Sequence, residues 1–384
     1  MAQEYKQLYL DFDQYIRQGE PGQKERAQAW RTAIGLQAVD GRKTSEYLQQ
    51  TALRNIEGEI TIDQARNLVK QYYVTKTAHD HPSADNEEAD KVSANIAKIL
   101  SSDTLDFSAN GFVSLHRRIF DGVFKHAGKI RDYDISKKEW VLEGDSVSYL
   151  NWEDLGRALE YDIEQERSFK YKGLSQDEMI THIAGFVSGI WQIHAFGEGN
   201  TRTTAVFTIQ YLCSVGFDFD NDLFANHSWY FRNALVRANY KNLVKGIDYT
   251  PIYLERFFRN LLLDEQWDLR NRYLHIHPTP EWSVQPNLAT PTSTPTSTPT
   301  SLITTKNTNI IRLVKAIGQD RLSVREILTK VGLKDRENFL DYSLRPAVSE
   351  RFVQALYPDR PHHPRQKYLL TAKGLMLLES FESK

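Results

Sequence analysis

Residues 194 to 202 read His-Ala-Phe-Gly-Glu-Gly-Asn-Thr-Arg, so nine positions hold a proton acceptor, a carboxylate, an amide and a guanidinium. An apolar helical pattern runs into the stretch through Ile180, Ile183, Phe186, Val187, Ile190 and Trp191, and another leaves it through Val206, Ile209, Leu212 and Cys213. The outgoing helix starts near Gly199. Its first backbone N–H groups have no intrahelical partner and carry partial positive charge. A glycine there lets backbone approach an anion. Arg202 in the first turn opposes the helix dipole, and a bidentate phosphate contact accounts for it. Glu198 at the rim suits Mg2+ whose other ligands are phosphate and water. His194, one turn earlier, is of the type that takes a proton from an attacking hydroxyl. Together they point to transfer of a phosphate-containing group from a nucleotide. Alone, a histidine on an apolar helix is ordinarily a core residue and a Gly-Asn pair a turn. The conjunction carries the reading.

The elements that must position this stretch are mostly helical. Over residues 1–75, Ala27, Trp30, Ile34, Leu36 and Val39 share a helix face that stops at Asp40-Gly41. Tyr47, Leu48, Ala52, Leu53 and Ile56 form a second run ending at Glu57-Gly58, and a third helix follows Thr61. Further helices are expected near 87–101, 110–126, 152–166, 228–245 and 250–264, and Ser175 to Glu178 is a capping box for the helix entering the motif. Segment 128–150 is rich in β-branched and aromatic residues around Glu143-Gly144-Asp145, which predicts a β-hairpin.

Residues 276–306 hold a Thr-Pro-Thr-Ser repeat, expected as an extended linker. Residues 307–384 then follow the order of a winged helix: helices from Ile310, after Ser323 and near 335–348, then two alternating strands around a Pro/His/Arg loop. From residue 309 onward, 14 Lys and Arg face 9 Asp and Glu, giving +5 where the whole chain is −2. That excess permits contact with DNA or with a protein. The overall charge gives no global field for nucleic acid or an anionic membrane. The single cysteine, Cys213, excludes an internal disulfide and a cysteine-rich metal site, and fits a cytoplasmic protein. The polar start predicts no secretory leader, and no apolar run reaches the roughly 20 residues of a membrane span.

The central stretch resembles the signature of the Fic (filamentation induced by cAMP) family, His-x-Phe-x-Asp/Glu-Gly-Asn-x-Arg, at all six constrained positions. The likeness extends over about 90–265, with the upstream run Ala127 to Arg131 and the intervening hairpin in place. It implies a mainly α fold: a Fic-type helical domain over 76–275 with a β-hairpin flap, joined to the small α+β winged helix. It further implies a cytoplasmic, bacterial protein adenylyltransferase that moves AMP from ATP to a Ser, Thr or Tyr hydroxyl. His194 would then be the general base and Glu198 the Mg2+ ligand. Gly199, Asn200 and Thr201 would hold phosphates, and Arg202 would contact the leaving pyrophosphate. Phe196 would be core. Asn239, and near it Tyr230, would line the adenine site, and the flap at 133–149 would pair with the target by strand addition. Three positions depart from the pattern: Ala195 replaces the usual proline, Thr201 a glycine, and Ala205 a second arginine.

The family's inhibitory helix reads Ser/Thr-x-x-x-Glu-Gly/Asn. It is echoed by Leu36 to Gly41 with Asp40, the favoured match, and by Leu53 to Gly58 with Glu57. Since the usual arginine partner is Ala205, the expectation is that the N-terminal helices cover the nucleotide site by packing rather than by an ion pair. Two other functions stay open: transfer of a different phosphate-containing group, and a catalytically silent nucleotide-sensing, DNA-binding regulator. Intact His194, Glu198, Asn200 and Arg202 argue against the latter.

Overall fold

The computed structural model describes residues 12–76, 84–102, 105–171, 173–217, 219, 221–277, 305–333, 335–357 and 366–382. Helices dominate. After a helical stretch over 12–18 come α1 (Pro21–Gly35), α2 (Glu46–Ile56), α3 (Ile62–Lys76) and α4 (Ala84–Leu100). A 3-10 turn, Leu36–Asp40, extends α1 and is closed by Gly41 at φ 68°. The Ser45 hydroxyl caps α2, and buried Asp90 of α4 accepts the Ser45 N–H at 2.8 Å and the Tyr73 hydroxyl at 2.7 Å. α1 lies along α4, and Trp30, Ala33, Leu36, Val92 and Ile96 are in the same continuous core as the motif's Phe196.

Helices α5 (Ala109–Ile119), α6 (Leu155–Ser168), α7 (Gln176–Ile193), α8 (Asn200–Ser214), α9 (Asp222–Asn226), α10 (Ser228–Asn239) and α11 (Ile252–Leu263) complete the larger unit. α7 and α8 are the pair that brackets the motif. α7 starts on the expected Ser175–Glu178 box. α8 buries nearly its whole circumference, from Asn200 to Leu212, as a central helix must.

The expected β-hairpin over 128–150 does not form strands. Residues 140–142 make a single 3-10 turn, closed by Glu143 and Gly144 at φ 56° and 86°. Across the loop, the Glu139 N–H donates to the Asp145 carbonyl at 3.0 Å and the Lys137 N–H to the Ser146 hydroxyl at 3.2 Å. The reason is in the burial. Val141 and Leu142 are adjacent and both fully buried, which a hairpin with one face in solvent does not achieve. The Ile276 N–H then bonds the Val141 carbonyl at 2.9 Å and pins the loop from outside.

The C-terminal unit follows the expected order. It comprises α12 (Thr308–Ile317), α13 (Val324–Val331), the run from α14 (Arg336–Phe339) to α15 (Arg345–Ser349), and β1 (Val353–Ala355) antiparallel to β2 (Tyr368–Leu370). One further helix, α16 (Ala372–Glu382), was not foreseen. The unit rests on the tail of α8. Arg351 donates to the Cys213 carbonyl at 2.9 Å, the Ala372 N–H to the Val215 carbonyl at 3.1 Å, and Gln176 to the Met376 carbonyl at 3.3 Å. Most of the Thr-Pro linker, 278–304, and the Pro/His/Arg loop, 358–365, lie outside the described residues. Among the described residues no helix is long and apolar enough to cross a membrane.

Candidate active site

α7 stops at His194, which takes φ 51° in the left-handed region, uncommon for a residue with a side chain. The turn needs support, and Arg131 supplies it. Its Nε donates to the His194 carbonyl at 2.8 Å, its Nη1 and Nη2 hold the Tyr133 and Leu150 carbonyls, and its own N–H bonds the Ala195 carbonyl at 2.9 Å. Asn200 closes the loop from the other end. Its Oδ1 accepts the Phe196 N–H at 2.9 Å and its Nδ2 donates to the Phe196 carbonyl at 2.6 Å. Phe196 is core, as expected, with its ring stacked 3.8 Å from that of His116. The Gly128 N–H donates to His116 Nδ1 at 2.8 Å, so Nε2 carries the hydrogen that bonds the Glu198 carbonyl at 3.0 Å. Burial holds His116 down to a pKa of about 4, against its bond to the Glu198 carbonyl, which raises it. Gly199 is obligatory: φ is 76°, and a Cβ there would sit 2.2 Å from the Phe120 ring.

His194 itself is 3 % exposed. Its Nδ1 lies 3.3 Å from the Trp191 carbonyl, a contact that requires a hydrogen on Nδ1. Nε2 therefore carries the lone pair, and it is buried with no hydrogen-bond partner. Its pKa lies well below the ordinary histidine value. Burial is the main cause, with the Lys137, Arg131 and Arg232 cations adding to it and the Trp191 carbonyl opposing. The ring rests on Tyr149 at 4.0 Å. This is a neutral imidazole presenting a bare acceptor nitrogen, the state a general base requires.

At the head of α8, the Thr203 N–H makes the first intrahelical bond, to Gly199 at 3.0 Å. The N–H groups of Asn200, Thr201 and Arg202 precede it and are available to an anion. The side chains of Asn200 and Thr201 shape the loop instead. The Thr201 hydroxyl accepts Trp191 Nε1 at 2.9 Å, so the β-branched residue fits without strain.

Arg202 is 2 % exposed and ion-paired on two sides, although its Nε lacks hydrogen-bond geometry to any acceptor among the described residues. Nε pairs with Asp40 Oδ2 at 2.9 Å, Nη1 donates to Gln37 at 3.0 Å, and Nη2 to Glu88 at 2.8 Å, with the Phe120 ring 4.8 Å away. The expectation that the N-terminal helices cover the site by packing alone is thus corrected: Asp40 makes an ion pair, with the motif's own Arg202. Ala205 is fully buried and has no part in it. Asp40 also meets Arg232 of α10 at 3.3 Å, and Arg232 in turn holds Glu139 at 3.1 Å through both carboxylate oxygens. Glu57 is elsewhere, at the end of α2 on the Tyr15 hydroxyl.

Two expected adenine-site residues are engaged in packing. Asn239 Nδ2 bonds the Ser188 carbonyl and hydroxyl and the Leu235 carbonyl, tying α10 to α7. Tyr230 is 1 % exposed, with its hydroxyl on the Tyr253 carbonyl at 3.2 Å. It faces inward because the inner side of α10 packs on α11. Glu198 does stand at the rim. Its side chain is 59 % exposed and one oxygen pairs with Lys137 at 3.2 Å. The described residues hold no cluster of three metal-binding groups. A lone accessible carboxylate beside a phosphate cradle is nonetheless a donor set that Mg2+ accepts when phosphate and water complete its shell.

Sequence reasoning missed Arg131 as the clamp on the motif, and missed His116, Glu88 and Arg232. None of them is near the motif in the chain. The upstream run ending in Arg131 was the one available signal.

The Fic/DOC family model matches residues 106–212, and the model described as Filamentation induced by cAMP protein Fic-like, C-terminal domain, matches 308–371. Protein adenylyltransferase VbhT of Bartonella schoenbuchensis is 23 % identical over 189 residues, which span 46 % of this chain and only 38 % of that protein. A crystal structure of a Fic family protein from Desulfovibrio desulfuricans superposes with a TM-score of 0.42 at 15 % identity, covering 96 % of this chain and 94 % of that one. The complete motif, its geometry and the two family matches agree: the chain carries a Fic/DOC domain over 106–212, followed by the C-terminal domain of Fic-like proteins over 308–371.

Proposed function

We propose that the chain is a protein adenylyltransferase that uses ATP and is held shut by Asp40. The observation that carries the reading is His194 Nε2, a buried acceptor without a partner, set one loop away from the free N–H groups at the head of α8. A target hydroxyl at that nitrogen would lose its proton to it while its oxygen attacks the α-phosphorus. The new O–P bond replaces the α–β phosphoanhydride bond, and pyrophosphate leaves with the electron pair. Arg202 and the α8 N–H groups would hold the phosphates. Mg2+ at Glu198 would neutralise phosphate charge. The relative known as an adenylyltransferase supports AMP as the group moved.

An arginine 2 % exposed and held by Asp40 and Gln37 admits no triphosphate. The Leu36–Asp40 turn must therefore withdraw first. The target segment would lie along the 133–149 loop, whose backbone is little used across the loop.

The test is to incubate wild type, Asp40→Ala and Asp40→Ala/His194→Ala with a lysate and ATP labelled at the α- or γ-phosphate. The expected result is protein label from the α-phosphate alone, stronger in Asp40→Ala and lost with His194. Label from γ alone would assign phosphate transfer instead. No label in any folded variant would leave a nucleotide sensor.

A further inference from the structure

The Asp40 carboxylate is used twice. Oδ2 pairs with Arg202 Nε at 2.9 Å and Oδ1 with Arg232 Nη1 at 3.3 Å. Two guanidiniums, one from α8 and one from α10, thus converge on a single anion. Arginine forks that meet on a carboxylate have the planar, multi-donor geometry that also suits a phosphate group. We propose that Arg232 is a second nucleotide-phosphate ligand, masked by Asp40 together with Arg202; the inference rests on the nucleotide reading above.

The surroundings of Arg232 fit that role. Nη2 is fixed from behind by Glu139, with both oxygens at 3.1 Å, and Glu139 is 2 % exposed. Among the described residues, Nη1 bonds only the N-terminal turn, namely the Val39 carbonyl and Asp40, both at 3.3 Å. Withdrawal of that turn therefore removes both of these Nη1 partners and leaves Nη2 anchored. The result is a pre-oriented donor, which loses little side-chain entropy on binding. Glu139 also accepts the Tyr149 hydroxyl at 3.4 Å, and Tyr149 packs on the His194 ring. The same wall thus carries the base and the second arginine.

α8 cannot supply this charge. The position one turn past Arg202 is Ala205, fully buried. Arg202 keeps Glu88 after Asp40 leaves, as Arg232 keeps Glu139, so what each offers a polyphosphate is freed N–H donors. The second guanidinium adds to those donors. Its link to Glu139 further ties phosphate binding to the loop that the target segment would follow.

The experiment measures binding, not transfer. In full-length Asp40→Ala protein, ATP, inorganic pyrophosphate and adenosine are titrated by calorimetry, with and without Arg232→Gln or Arg232→Lys. Arg232→Gln should weaken ATP and pyrophosphate by at least about tenfold, as loss of one charged contact does, and leave adenosine unchanged. Arg232→Lys should recover part of the loss. Because Arg232→Gln leaves Glu139 buried and unpaired, Asp40→Ala/Glu139→Gln/Arg232→Gln is measured beside it, with melting curves for both. Equal ATP and pyrophosphate affinities with and without Arg232 in folded protein overturn the proposal. So does the absence of any nucleotide binding, which removes the nucleotide reading as well. Arg232-dependent binding in a protein that transfers no label upholds it and removes only adenylylation.

Discussion

His116 is held as a neutral ring by burial, and its two nitrogens join the Gly128 turn to the motif carbonyl of Glu198. Protonation would put a donor where Nδ1 accepts. The native pKa of about 4 lies below the ordinary 6.5, so between those values the unfolded chain binds the extra proton. Stability from this group is complete above about pH 6.5 and falls as the pH drops towards 4, by about 1.4 kcal/mol per unit. Urea midpoints at pH 7 and pH 5 should therefore differ by more in wild type than in His116→Phe. That variant loses stability at pH 7 but has no ring to titrate here. His194 contributes in the same direction in both proteins and cancels. At the same scale, Asn200→Ala should lower activity through the loop it closes and cost about 1–3 kcal/mol, since it leaves the Phe196 N–H and carbonyl without partners; the check is melting beside phosphate-transfer assays. His194, Glu198, Asn200 and Arg202 were legible because one loop holds them all. His116 and Arg131 were not, because each acts on backbone carbonyls more than 60 positions away, and a carbonyl leaves no mark in the sequence.

Among the elements, the loop from α7 to α8 depends on two unusual backbone positions, His194 and Gly199. Gly199→Ala would combine a disfavoured φ with a Cβ 2.2 Å from Phe120. It should cost at least about 2 kcal/mol and abolish activity, seen as a lowered melting temperature beside lost label. Arg131→Ala should cost about 3 kcal/mol or more, since three main-chain carbonyls lose a charged donor inside the protein. Helix periods and caps predicted α1, α2, α7 and α8 well, because Gly41, Gly58 and the Ser175 box are local signals. The 128–150 hairpin was misread because β-branched composition is also what a buried, irregular loop uses. Its Val141 and Leu142 go inward together, and only the packing reveals that.

At the scale of the whole molecule, α8 has a different neighbour at each end. Its head meets Asp40 and Gln37 from the N-terminal turn, and its tail meets Arg351 and Ala372 from the C-terminal unit. A cation on the last carbonyls of a helix is favourable, so the docking is specific as well as apolar. Gly216 is the tightest point: φ is 104°, and a Cβ would lie 2.4 Å from the Thr371 hydroxyl. A cavity of about 820 Å³ lies between the tail of α8 and the face of the α14–α15 run that carries Arg336, Leu340, Leu344, Arg345 and Val348. That face looks towards the Fic/DOC domain. Full-length protein is therefore expected to give no salt-sensitive shift of generic duplex DNA in a gel at moderate ionic strength, although the unit's charge alone would permit one.

Cys213 lies beside that cavity and is the chain's single cysteine. The molecule thus has one natural labelling point at the seam between its two units. Gly216→Val should pry the seam apart, and the rate of alkylation by a maleimide dye would report it without any engineered handle. Labelling should be slow in wild type and several-fold faster in the variant; equal rates would mean that the tail of α8 does not carry the C-terminal unit in solution.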